Sequence, residues 1–316
     1  LTSIVFMGTP EFSAPILESL LKQGYAVLAV VTQPDRPVGR KHVLTPSPIK
    51  RVALEHQLEV LQPEKLSGSS EAQRIIDLAP DLIVTAAFGQ FLPKSVLAAP
   101  KIAALNVHAS LLPKYRGGAP IQYSLLKGEK ETGVTIMKMV MKMDAGDILR
   151  QERLPIEATD DSGSLFAKLS VVGERLLRTT LPDFLAGKIT PQVQDPAKVT
   201  FAPNIKPEQE EINLENTAQQ IDCQVRALRP EPGAYVMMLG KRTKLWSVKP
   251  LTEKTTQAPG SIVTVTKHQL TLAAGAGSVF AVNEIQPAGK ARMPITAFLN
   301  GIGHGIKEGQ QLFDGK

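Results

Sequence analysis

Asn106 and His108 stand two residues apart at the end of an apolar run, within Leu105-Asn106-Val107-His108-Ala109-Ser110-Leu111-Leu112-Pro113. In a strand, that spacing turns both side chains to one face. An amide can donate to a developing oxyanion, and an imidazole can carry a proton near neutral pH. A third chemical group follows in the loop Met143-Asp144-Ala145-Gly146-Asp147, after another strand-like run. A carboxylate there can fix the tautomer or charge of a facing imidazole. Asn106, His108 and Asp144 are therefore candidates for acyl-type transfer, as oxyanion donor, proton-handling ring and orienting carboxylate. On local pattern alone the first two can equally cap a strand, and an Asp beside Gly is common turn chemistry.

A second group of candidates is basic. The segment Gln33–Pro48 is long for a strand-to-helix connection and holds Arg36, Arg40, Lys41 and His42, with Lys50 and Arg51 just beyond. Five formal positive charges there oppose Asp35 alone. Such a loop suits phosphate-backbone contact or is a solvated basic surface. Two glycine-rich spots are turns instead. Gly301-Ile302-Gly303-His304-Gly305 has no strand before it, and Ala274-Gly275-Ala276-Gly277-Ser278 lies between strands. Gly8-Thr9-Pro10-Glu11 lacks the second glycine of a dinucleotide fingerprint, and no phosphate-loop motif occurs.

The elements that must position these groups alternate. Apolar strands are predicted over Ser3–Gly8, Ala26–Thr32, Asp81–Ala86, Ile102–His108 and Gly133–Met139. Helical spacing lies between them at Phe12–Leu21, Pro48–His56, Glu71–Leu78 and Pro120–Lys127, and a long helix closes the series at Ser164–Leu185. This order predicts an α/β fold with an open, mostly parallel sheet and helices on both faces. In such sheets ligands bind beyond the carboxyl ends of the strands, where Asn106 and His108 lie. Thr190–Pro207 carries four prolines and reads as an extended linker. Beyond it, short strands at 233–239, 245–248, 260–266, 270–273 and 279–285 predict a small β-barrel or sandwich.

The chain has 316 residues, enough for two domains, with 43% apolar and 21% charged residues. That composition excludes a largely disordered or fibrous chain. A formal net charge of +6 permits a nucleic-acid partner without requiring one. The single cysteine, Cys223, excludes an intrachain disulfide and a multi-cysteine zinc site. No apolar run approaches the roughly 18–20 residues of a membrane-spanning helix. The opening residues show no targeting pattern, and a cytoplasmic location is expected.

Asn106-x-His108-x-Ser110-Leu111-Leu112-Pro113, then Arg116-Gly117-x-x-Pro120, then Asp144-x-Gly146-Asp147 resembles the signature of the folate-dependent formyltransferase family. Further stretches are similar to the branch of that family acting on methionyl-tRNA. They are 5–12, 32–40, Gly133-Val134-Thr135-Ile136-Met137 and Gln286-Pro287-Ala288-Gly289-Lys290. Ile212-Asn213-Leu214 departs from the Ile-Asp-Trp of many members.

The resemblance implies a Rossmann-like catalytic domain over 1–188, a linker over 189–206 and an OB-like, tRNA-binding β-barrel over 207–316. It implies formyl transfer from 10-formyltetrahydrofolate to the α-amino group of methionyl-initiator tRNA, with no metal in the scheme. Asn106, His108 and Asp144 match the catalytic trio. Ser110, Leu111, Leu112 and Pro113 match a folate-contacting loop, and Phe88, Gly89, Phe91 and Leu92 fall where the pterin is expected. Arg40 matches a tRNA-recognition arginine, with Arg36, Lys41 and His42 beside it. The barrel can add Lys241, Arg242, Lys244 and Lys249. Two other readings remain: formylation of a small amine such as an amino-sugar nucleotide, and folate or RNA binding without catalysis. The basic insertion and the barrel oppose the first; the intact trio opposes the second.

Overall fold

In a computed structural model of the chain, which describes residues 1–39 and 42–314, two compact units are resolved. The first comprises Leu1–Pro120, Glu131–Ile156 and Phe166–Pro203; the second comprises Ile121–Lys130, Glu157–Leu165 and Asn204–Lys316.

The first unit is built on β1 (Ser3–Gly8), α1 (Ala14–Lys22), β2 (Ala26–Val31), β3 (Arg36–Val38), β4 (Val43–Thr45), α2 (Pro48–Glu55) and β5 (Val60–Leu61). It continues with α3 (Ser70–Leu78), β6 (Leu82–Ala86), α4 (Lys94–Leu97) and β7 (Ala103–His108). After α5 (Pro120–Leu126), which apart from Pro120 belongs to the second unit, come β8 (Glu131–Lys138), β9 (Ile148–Pro155) and the long α6 (Ser162–Leu185), which lies in the first unit apart from its first turn. Seven strands form one sheet in the order β5-β2-β1-β6-β7-β8-β9. The pairings from β5 to β7 are parallel, and those of β7 with β8 and β8 with β9 are antiparallel. The chain leaves β1 toward β2 on one side and returns to β6 on the other, so a crevice opens at the carboxyl ends of β1 and β6.

Alternation along the strands sorts the core onto two faces. Val5, Met7, Val31 and Ile83 pack with Ala72 and Ile75 of α3 and with Val96 of α4. On the other face Gly173 of α6 lies so close to Val107 that an added Cβ would stand 3.1 Å from its methyl, with Ile16 of α1 next nearest. The helices start where their caps say they should. Ser47 accepts from the Lys50 N–H ahead of α2, and Ser69 accepts from the Ala72 N–H ahead of α3.

The long connection after β2 contains the short antiparallel hairpin β3–β4. Strand β9 also lies outside the predicted elements. Its alternation of Leu149, Gln151 and Arg153 with Arg150, Glu152 and Leu154 is mostly polar, as befits the exposed edge of the sheet.

The second unit holds α7 (Ala218–Ala227), β10 (Tyr235–Met238), β11 (Lys241–Lys254), β12 (Ile262–Val265), β13 (Leu270–Ala273), β14 (Ser278–Gln286), β15 (Met293–Pro294) and α8 (Ile295–Leu299). Its antiparallel sheet runs β10-β11-β14-β13-β12, with β15 on β14. Asp314 bridges to Met237 on one edge strand and Gln311 to Ser261 beside the other, so the last described residues join the two edges. Ile221, Phe280, Phe298 and Phe313 lie in one buried cluster.

Asp81 ties the starting ends of β1 and β6. Its carboxylate accepts from the Ser3 N–H at 2.8 Å and from the Ser3 hydroxyl at 3.0 Å. The Ser3 backbone N–H, then its hydroxyl, hold the Asp81 carboxyl below the usual carboxylate range. A depressed folded-state value means the contribution is complete above the unfolded value, about 3.9, and is lost as pH falls through the folded one. Asp81→Asn therefore lowers the urea midpoint at pH 7, and the gap to wild type narrows only when both are compared below about pH 4.

Candidate active site

Strand β7 carries Asn106 and His108 to the carboxyl end of the sheet, on the face shared with Thr85 of β6. The Thr85 hydroxyl donates to Asn106 Oδ1 at 2.8 Å. That contact turns the amide so that Nδ2 faces Asp144, whose Oδ1 lies 3.4 Å away. The other carboxylate oxygen accepts from the Gly117 N–H at 2.8 Å and stands 3.8 Å from His108 Nδ1. All three expected groups thus meet, from segments up to 38 residues apart.

His108 is held from its far side. Its Nε2 lies 3.0 Å from the Tyr115 carbonyl oxygen. A carbonyl can only accept, so Nε2 carries a proton and Nδ1 is the nitrogen turned toward Asp144. The ring is 6% exposed and the Asp144 side chain 15%, so their attraction acts away from bulk water. Asp144 itself sits at φ 47 and Tyr115 at φ 62, in the left-handed region that non-glycine residues seldom occupy. At Gly146 an added Cβ would fall 1.7 Å from the Lys138 carbonyl oxygen, so only glycine lets the Asp144 loop lie this close to β8.

The loop after β7 is fixed by a buried hydroxyl. Thr135 of β8 donates to the Ser110 carbonyl at 2.7 Å and accepts from the Leu112 N–H at 3.1 Å. Gln151 of β9 donates to the Leu112 carbonyl at 2.8 Å. Ser110 is fully buried and its hydroxyl donates to the Lys114 carbonyl, so that side chain supports the loop. Leu112 packs with Met137 and Ile148, whereas Leu111 and Pro113 are half-buried. Leu111 sits over Gly133, where an added Cβ would meet its methyl at 2.6 Å. After β6, Phe88 and Leu92 belong to the core cluster, and Gly89 and Phe91 are exposed.

The basic candidates are placed differently. Arg36 lies in β3 with its guanidinium forked onto Glu64. His42 is exposed at the hairpin turn, and Arg40 and Lys41 lie outside the described residues. The same hairpin presents Val38, Val43 and Leu44 to solvent, an apolar surface that the charge pattern did not indicate. Its root is held by Asp35, which accepts from Lys50 at 2.7 Å and Gln62 at 2.8 Å; the Lys50 contact, then that of Gln62, keeps its carboxyl below the ordinary range. In the second unit Arg242 stacks on Tyr235 at 4.1 Å, and Lys244 and Arg292 lie over Trp246 at 5.4 and 5.2 Å. Lys241 is exposed, as is Lys249. Among the described residues no helix is long and apolar enough to cross a membrane, and no group of three His, Cys, Asp or Glu could hold a metal ion.

Residues 2–181 match the family model described as formyl transferase, and residues 204–303 match its C-terminal domain model. The chain is 59% identical over 315 residues to the methionyl-tRNA formyltransferase of Ligilactobacillus salivarius, covering 99% of both chains. It is 60% identical over 316 residues to that of Lactiplantibacillus plantarum, covering 99% of this chain and 100% of the relative. The chain belongs to the methionyl-tRNA formyltransferase family.

Solved structures extend the likeness of this formyltransferase chain at the level of fold. An N-formyltransferase from Helicobacter canadensis, solved with folinic acid and dTDP-3-aminofucose, superposes with a TM-score of 0.70 at 19% identity, over 91% of this chain and 100% of that one. HypX from Aquifex aeolicus, solved with tetrahydrofolic acid, gives 0.62 at 18% identity over 96% of this chain, which spans about half (48%) of HypX.

Around Asn106, His108 and Asp144, the residues Thr85, Gly117, Thr135, Gln151 and Gln194 set the geometry, and no site role was expected for any of the five. Gly117 and Thr135 fall within stretches that carry the family resemblance, whereas Thr85, Gln151 and Gln194 have no such signal. Thr135→Val keeps the shape of the side chain but leaves the buried Ser110 carbonyl and Leu112 N–H without their partner. Urea denaturation is expected to show a loss of about 1–3 kcal/mol; a variant as stable as wild type would exclude this anchoring.

Proposed function

We propose that the chain transfers the formyl group of 10-formyltetrahydrofolate to the α-amino group of methionyl-initiator tRNA. The observation that carries this reading is the meeting of Asn106, His108 and Asp144 at one strand end. The family membership supports it. Both partners are substrates; the chain's own residues supply positioning, charge stabilisation and proton movement.

The neutral amine adds to the formyl carbon and negative charge builds on the formyl oxygen. Asn106 Nδ2 and the proton on His108 Nδ1 donate to that oxygen. Losing one such donor typically costs about 10²–10³ in kcat. Asp144 lies beside Nδ1 and stabilises the imidazolium. It also takes up the proton that the amine sheds, so that a proton can reach the departing folate nitrogen as the carbon–nitrogen bond to folate breaks. The formyl donor is proposed to lie against the loops after β6 and β7. Exposed Gly89 and Phe91 and half-buried Leu111 and Pro113 offer a small backbone site and apolar faces for a flat ring. The side chains of Phe88, Leu92, Ser110 and Leu112 act there as support, because they are buried.

The acceptor is polyanionic. The β3–β4 hairpin with Arg36, Arg40, Lys41 and His42 is proposed to dock its acceptor end, and the cation–aromatic stacks of the second unit to add backbone and base contacts. A cytoplasmic setting follows from this reading. Asp144→Asn is expected to lower kcat for formylation of charged initiator tRNA by about 10²–10⁴-fold with folded structure intact; turnover at the wild-type rate would remove Asp144 from the mechanism. Replacing residues 37–44 by a short glycine linker is expected to lower kcat/KM for methionyl-tRNA by at least about tenfold, and to flatten its decline with salt. Formylation of a small amine instead, unaffected by that deletion, would favour the amino-sugar reading.

A further inference from the structure

Gln194 lies in the proline-rich stretch after α6, which the sequence presents as a linker. In the structure this stretch is bonded into the first unit. Gln192 and Ile148 exchange two backbone hydrogen bonds of 2.8 Å, and Arg116 bonds to Thr200 and Ala202 at 2.9 and 2.7 Å. Between these pairs Gln194 is 5% exposed and Arg116 likewise 5%.

The Gln194 amide uses its full hydrogen-bonding capacity. Nε2 donates to the Asp144 carbonyl at 2.8 Å and to the Gly146 carbonyl at 2.8 Å. Oε1 accepts from Arg116 Nε at 3.1 Å and from Nη2 at 2.8 Å. Two donors and two lone pairs are all that such a group has. No other side chain of this length supplies both: Glu can only accept when ionised, and Met does neither. One side of the amide therefore grips the turn on which Asp144 sits, and the other grips the residue next to Gly117, whose N–H binds the Asp144 carboxylate.

We propose that Gln194 is a positioning residue for formyl transfer, clamping the Asp144 turn and Arg116 so that the Asp144 carboxylate stays between Gly117 and His108. The proposal rests on the catalytic role given to Asp144 above. Asp144 holds a left-handed backbone, φ 47, which a non-glycine residue keeps only when its surroundings enforce it. Gly146 is pressed against the Lys138 carbonyl, which fixes one end of the turn; the Gln194 amide holds the Asp144 and Gly146 carbonyls. A displacement of about 1 Å at a catalytic group can cost about 10²-fold in rate.

The test is a double-mutant cycle with a separate structural readout. Gln194→Ala and Gln194→Glu are each made alone and with Asp144→Ala. Gln194→Glu keeps an acceptor for Arg116 and removes the donor to the turn, so it isolates the half of the clamp that matters. Formylation of charged tRNA is expected to lose about 10–100-fold in kcat for both single variants, with KM for the formyl donor changed less than about threefold. In the Asp144→Ala background the same changes are expected to cost less than about twofold, because the residue acts through Asp144. The amide resonance of Gly117 is expected to move in Gln194→Glu toward its position in Asp144→Ala. A wild-type kcat in Gln194→Glu, an equal loss in both backgrounds, or an unmoved Gly117 resonance overturns the proposal. A wild-type protein without formyl transfer would sink the functional reading instead, and the Gly117 resonance would still decide whether the clamp exists.

Discussion

A carboxylate drawn 85% out of water must be surrounded by donors, and the site of this chain is organised around that requirement at Asp144. Its two oxygens are met by the Gly117 N–H and the Asn106 amide, with the His108 ring beyond. Those donors come from β7 and from the loop that follows it, and the carboxylate comes from the turn after β8. The sheet brings them together because β8 returns antiparallel beside β7, which places the end of β8 near the middle of its neighbour and swings the following turn back across the β7 carboxyl end. The Met139 N–H, bonded to the Ala104 carbonyl at 2.8 Å, marks where that crossing is fastened.

Each side chain of the candidate trio is oriented by a partner outside it. Thr85 settles which end of the Asn106 amide points outward, and the Tyr115 carbonyl settles that the His108 nitrogen facing it carries a proton. Thr135 and Gln151 hold the loop between them. Thr85 and Thr135 are short polar side chains buried among apolar ones, where an unmade hydrogen bond is expensive. That cost is what keeps the geometry single-valued before a substrate arrives.

The alternating strands and helices, and the pair Asn106 and His108, were legible because a period of two at a strand end is a local property. The mostly parallel sheet followed from the order of elements. The rest was hidden for different reasons. Strand β9 is half polar at a sheet edge and lacks an apolar period. The hairpin β3–β4 is three residues a side, too short to show one. Gln194, Thr135 and Thr85 act on groups 21 to 50 residues away, through contacts that no spacing rule encodes. Phe88 and Leu92, which the resemblance puts near the pterin, are buried in the core cluster of the first unit, a placement that their residue types alone do not reveal. The proline-rich stretch after α6 looked like a tether because prolines suppress periodicity, yet residues 192–202 bond along the site.

The most direct test of this arrangement is the tautomer of His108, read by 15N NMR in wild-type protein. If the Tyr115 carbonyl pins one nitrogen and Asp144 faces the other, Nε2 carries a proton. A ring with its proton on Nδ1 alone would contradict the account, because the Tyr115 carbonyl would then face a nitrogen that cannot donate.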